Sequence, residues 1–208
     1  EIKIIAVMWK WGILNKMSKG YIDEKIIPMK LETDNSISMS LEDGYYISGK
    51  LETFTKALYF NDAASIYTPS SFIDMPDEIK EIKYPTNFRP EIIKTNLAGD
   101  INLSLSLLEE GKDADIETLL SDLRSLLSKA HKGIKFPDAT KLNKEGCVKM
   151  HCFDFVLPGI DEKIYHMMGM GKTDRQIIQV IFNCMEPDAN AWKKAVIDIF
   201  ENIELVRK

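Results

Sequence analysis

The last third of the chain constrains the fold more than any other part. Met150 to Leu157, Glu162 to Met170 and Arg175 to Cys184 have strand-like composition and are separated only by turn residues. They run directly into Asp188 to Phe200, where Trp192, Val196 and Ile199 recur at helical spacing. Three consecutive strands and a terminal helix bury their apolar faces by stacking helix on sheet. The expected class is therefore α+β, with an antiparallel sheet covered by helices.

The earlier segments add to that plan. Ser65-Ile66-Tyr67-Thr68-Pro69 reads as a strand stopped by proline. Met75-Pro76-Asp77-Glu78-Ile79 reads as a helical turn with Pro76 at its first position. Ile101, Leu103, Leu105 and Leu107 alternate with Asn102, Ser104 and Ser106, which predicts a strand with one buried and one wet face. Asp115 to Lys132 carries Ile116, Leu119, Leu120, Leu123, Leu127 and Ala130 on one helical stripe. Asp113 or Asp115 can cap its start, and Gly133 can supply a left-handed residue at its end.

Residues 1–57 read as a β-rich N-terminal extension and residues 58–208 as the main domain. In the extension, Ile2 to Trp11 has apolar residues at both parities, and Ile27 to Leu31 alternates. Ile37, Met39 and Leu41 lead through Asp43-Gly44 into Tyr45-Tyr46-Ile47 as a hairpin, and Thr53 to Phe60 reads as a further strand. A strand apolar on both sides needs cover, so residues 1–57 are expected to supply either an edge extension of the sheet or a partner-binding surface, with homodimerisation through residues 1–12 one form of that cover.

Composition excludes several classes of function. With 208 residues, 45% hydrophobic and 28% charged, the chain can build a sizeable core. A net charge of −5 repels phosphate backbones, and no Lys/Arg run exceeds two residues, so nucleic acid is not an expected partner. Ile4 to Trp9, the longest apolar run near the start, is far short of the ~20 residues that span a bilayer. Cys147, Cys152 and Cys184 are odd in number and read as reduced core thiols. That tilts the location toward the cytoplasm and leaves export after leader removal open.

Chemical motifs are scarce. Gly169-Met170-Gly171-Lys172-Thr173 hints at a phosphate loop, but His166 occupies the place of the glycine that would let the backbone curl around phosphates. The two glycines are expected at a hairpin tip. Cys147 and His151 share one strand face while Cys152 takes the other, so the three do not converge on a metal. No Gly-x-Ser-x-Gly elbow occurs and only His131, His151 and His166 could act as bases, so no catalytic residue is assigned. No cofactor is expected. Two interaction candidates remain. Met167, Met168 and Met170 offer adaptable thioethers, and the loop with Lys83, Tyr84 and Arg89 combines two cations with an aromatic ring between rigid prolines. Each has a plainer structural reading: inward packing for the methionines, pinning of a loop for the others.

Residues from about Leu58 to Val206 resemble the PsbP-like superfamily. The resemblance is carried by Ser65-Ile66-Tyr67-Thr68-Pro69-Ser70-Ser71-Phe72, by Phe153-Asp154-Phe155, and by Gln179 to Cys184 leading to Trp192-Lys193-Lys194-Ala195, Ile199, Ile203 and Leu205. The loop segments fit a bacterial branch. The resemblance implies an α/β/α sandwich whose terminal helix is anchored by its tryptophan. It implies no shared catalytic residues, since members mostly bind other proteins. The expected function is a non-enzymatic protein-binding or assembly module. The alternative is a secretion-type chaperone that shelters apolar segments through the methionine hairpin and the N-terminal strand. Small-molecule binding or hydrolysis at a sheet edge is a third reading.

Overall fold

A computed structural model describes residues 39–85, 89–108, 115–137, 139–159, 161–173 and 176–206. The expected strands Ile2 to Trp11 and Ile27 to Leu31 lie outside these residues, as does the proposed dimer segment.

The centre is an antiparallel sheet of seven strands in the order β5-β6-β7-β11-β10-β9-β8. These are β5 (Ile73–Asp74), β6 (Ile92–Thr95), β7 (Asn102–Leu108), β8 (Thr140–Leu142), β9 (Met150–Pro158), β10 (Lys163–Lys172) and β11 (Ile177–Met185). The three C-terminal strands form the expected meander, with Met168 opposite Phe153 on one side and Ile181 on the other. Helix α1 (Asp77–Lys83) follows β5, α2 (Ile116–Ala130) lies between β7 and β8, and α3 (Ala189–Glu201) follows β11. A smaller sheet pairs β12 (Glu204–Leu205), β4 (Ala64–Pro69) and β3 (Phe54–Tyr59). No helix among the described residues is long and apolar enough to cross a membrane.

Alternation along each strand sends successive side chains to opposite faces, and each face acquires its own core. Leu103, Leu105, Val180, Phe182, Met167 and Cys152 face α3 and pack with its Trp192, Val196, Ile199 and Phe200. Phe153, Phe155, Leu157, Met168, Met170 and Ile177 face α2 and pack with Ile116, Leu120, Leu123 and Leu127. Trp192 is 4% exposed, wedged between Phe182 and Phe72 at ring-centroid separations of 5.4 and 5.8 Å. Asp115 caps α2, its carboxylate accepting from the Thr118 backbone N–H at 3.0 Å.

Five expectations change. The boundary between residues 57 and 58 falls inside β3, and Leu41, Tyr45 and Ile47 are buried in the α3-side core. The Tyr45 hydroxyl donates to Asp198 of α3, so residues 39–57 pack as part of the same body. Met39 to Leu41 is not a strand; Ser40 bridges to Gly44, and the hairpin is β1 (Tyr45–Ile47) with β2 (Lys50–Glu52). Its turn is Ser48-Gly49, both at positive φ (49° and 80°), the pattern a tight right-twisted hairpin requires.

Pro76 stands at the N-cap of α1, one residue before its first turn. Gly169 and Gly171 lie inside β10, not at a hairpin tip. A Cβ on Gly169 would sit 2.7 Å from the Phe200 ring, and one on Gly171 would meet Met150 Sδ and Val148 Cγ1 at 2.5 Å. The glycines therefore exist to let side chains close on the sheet. Finally, Asn102 and Ser104, expected on a wet face, are 0% and 2% exposed. Tyr84 packs on Ile93 beside Ser104 and Asn183 and covers that part of the sheet.

Candidate functional site

The six residues singled out as an interaction surface are mostly interior. Met167, Met168 and Met170 are 3%, 2% and 0% exposed and are divided between the two cores. β10 is paired on both edges, and its two faces pack against α3 and α2. Its unbroken apolar run at both parities is the mark of such a central strand. The methionine hairpin therefore offers no surface, and the chaperone reading loses that support.

Tyr84 is also buried, in a small cluster with Met75 and Ile93. Lys83 is half-buried and its ammonium donates to the Gly99 carbonyl. Burial lowers its pKa to about 8, with the nearby Asp100 acting the other way. These two residues pin the loop to the sheet. Arg89 alone is exposed.

A better candidate lies along the outer edge of β9. β8 pairs only Thr140–Leu142 with Met150–Cys152. Among the described residues, no strand pairs with Phe153–Pro158 on that side. A cleft of about 410 Å³ wraps this bare edge. Ile134, Lys135 and Pro137, from the segment after α2, form one wall, while Phe155 and Val156 present apolar surface from opposite faces of β9.

The polar groups of the cleft pair with one another. Asp154 accepts from the Tyr165 hydroxyl at 2.9 Å and from Lys193 Nζ at 2.6 Å. Burial, then the Asp154 carboxylate, pushes the Tyr165 phenol far above its ordinary range, so it stays protonated. Lys163 pairs with Glu186 at 3.5 Å on the rim. The Asp154 charge is thus taken up by Lys193, and the rim keeps Lys135 and Lys163 against the single carboxylate of Glu186.

Cys147 lies in the turn before β9, and Cys152 and Cys184 are buried with thiols pushed up to about 12. Among the described residues, no group of three His, Cys, Asp or Glu could hold a metal ion.

No protein-family model and no curated protein sequence matches the chain. Solved structures do. The cyanobacterial PsbP of Synechocystis (CyanoP) aligns over 74% of this chain and 92% of its own, with a TM-score of 0.56 and 11% identity. The chain has the PsbP-like fold. A protein of Bacteroides thetaiotaomicron aligns over 74% of this chain but only 48% of its own, with a TM-score of 0.50 and 15% identity. At such identities the likeness is one of architecture, and the PsbP-like fold carries no residue roles with it.

Proposed function

We propose that the chain is a non-enzymatic protein-binding module that takes an extended segment of a partner onto the outer edge of β9. The observation that supports this reading is the outer edge of Phe153–Pro158, with which no strand pairs among the described residues, and the cleft that Asp154, Phe155, Val156 and Pro158 line beside it. An edge strand presents alternate N–H and C=O groups outward, and a partner strand supplies their complements, with pockets beside the edge selecting side chains. Proteins usually blunt such edges with charge, and here Lys193 neutralises the one carboxylate, Asp154. Phe155, Val156 and Ile134 suit apolar residues of the incoming segment. Lys135 and Lys163 favour an acidic one.

The absence of a catalytic role in this proposal rests on geometry. Ser104 and His166 lie on β7 and β10 with β11 between them. Ser104 is in register with Ile181 and Met168, two residues along from His166, so two strand spacings and that offset put them roughly 11–12 Å apart, too far for the imidazole to take the hydroxyl proton.

Selection of displayed random peptides on the immobilised protein tests the proposal. Enriched peptides should combine alternating apolar positions with an acidic residue. Val156→Glu should weaken them roughly tenfold or more, about 1.4 kcal/mol, while Leu58→Glu on the smaller sheet leaves them unchanged. Failure to enrich any peptide, or equal binding to Val156→Glu, contradicts the proposal.

A further inference from the structure

On the α2 side of the sheet, a polar row crosses four strands. Thr95 pairs with Asn102, Asn102 with Asn183, and Asn183 with His166, so all four lie on one line and one face. Phe155 closes its far end, stacked on the His166 ring at a centroid separation of 5.1 Å. Ser104, two residues along β7 from Asn102, joins the same face. Tyr84 covers it from above, packed on Ile93, which pairs with Ser104. All of these side chains are buried, the most exposed being His166 at 8%. Helix α2 covers only the neighbouring part of this face, through Phe153, Phe155, Met168 and Met170.

Four polar atoms here have no hydrogen-bond partner among the described residues: the Tyr84 hydroxyl, Asn102 Oδ1, Ser104 Oγ and His166 Nδ1. They surround one residue. Asn102 and His166 flank Asn183 across the strands, and the Tyr84 hydroxyl lies near both Ser104 and Asn183 without closing a bond to either. Leaving a buried polar atom unpaired costs ~1–3 kcal/mol, so four around one residue are not a packing accident. A simple core would have used apolar residues, as the α3 side of the same strands does with Leu103, Leu105 and Phe182.

We infer that this row is a binding site for a small, uncharged ligand bearing amide or hydroxyl groups. The unmet atoms comprise two hydroxyls that donate or accept, a carbonyl oxygen that accepts, and a neutral imidazole nitrogen. Burial holds His166 well below its ordinary range, at about 3, so it brings no charge. The row itself contains no ionisable partner for an anion or a cation, and a charged ligand would be desolvated without compensation. A ligand with both donors and acceptors matches the set. Ordered water is the competing occupant, and the two make opposite predictions for Ser104.

The test uses the full chain, with acetamide and glycerol as probes. Side-chain amide signals of Asn102 and Asn183 and the His166 ring signals are followed by NMR during titration. Saturable shifts confined to these residues are expected with at least one probe. Ser104→Ala should reduce that affinity several-fold while raising the melting temperature of the free protein, because it deletes an unmet hydroxyl. Asn183→Leu should abolish the shifts; Ser104→Ala keeps the test decisive where that variant fails to fold. The inference is overturned by absence of saturable shifts with both probes, or by a Ser104→Ala variant that is less stable than the parent and binds the probe equally well, since the hydroxyl then anchors structural water.

Discussion

Asn102 and Asn183 meet across β7 and β11, the amide of Asn102 donating to the carbonyl oxygen of Asn183 at 2.8 Å in a buried setting. The contact joins strands 81 positions apart in sequence. It also holds the β7–β11 register, because a slip of one strand by one residue would turn its amide into the apolar core facing α3 and leave the other without its partner.

The pair should show strong coupling. Replacing either asparagine alone by leucine strands its partner and should cost ~1–3 kcal/mol. The double replacement should cost clearly less than the sum. A double-mutant cycle by urea denaturation measures this, and additive costs would show that the bond holds nothing together.

Trp192→Ala should destabilise the protein by ~3–5 kcal/mol, as deletion of a fully packed aromatic side chain does. Phe182 and Phe72 both lose their partner. Denaturation of the variant within about 1 kcal/mol of the parent would contradict the packing of α3 on the sheet.

Gly169→Val should be destabilising by ~1–3 kcal/mol or more, since the new side chain enters the space of Phe200. Phe200→Ala in the same chain should recover part of that loss relative to Phe200→Ala alone. A glycine kept only for a turn would give no such recovery.

Stability should fall with acid through His166. Its folded pKa, about 3, lies below the ordinary 6.5 of the unfolded chain. The unfolded state therefore binds the proton first as pH drops. The contribution is complete above about pH 6.5 and is lost progressively between there and about pH 3, at up to ~1.4 kcal/mol per pH unit. Between pH 6.5 and 5, before most carboxylates titrate, His166→Gln should have a flatter stability profile than the parent. Parallel profiles would place the imidazole in water.

The layered fold was legible because its elements obey clean local rules. The β9-β10-β11 meander is punctuated by turn residues, α2 shows its stripe and its Asp115 cap, and α3 carries Trp192 in phase with Val196 and Ile199. Strand order was not, since β7 finds β11 only after α2 and three strands have intervened. The site was misjudged for the same reason. Met167, Met168 and Met170 look adaptable until β10 is known to be central. Asn102 and Ser104 look wet until Tyr84 is known to lie over them. The bare edge of β9 depends on β8 ending after three residues, which no periodicity announces.

Amide hydrogen exchange along β9 tests the binding proposal most directly. In the free protein, the outward-facing amides among Phe153–Leu157 should exchange far faster than those bonded to β10. Addition of a peptide enriched by display should protect those outward amides specifically. Protection that appears on β3 or β12 instead, or outward β9 amides already slow in the free protein, would contradict an open edge that receives a partner strand.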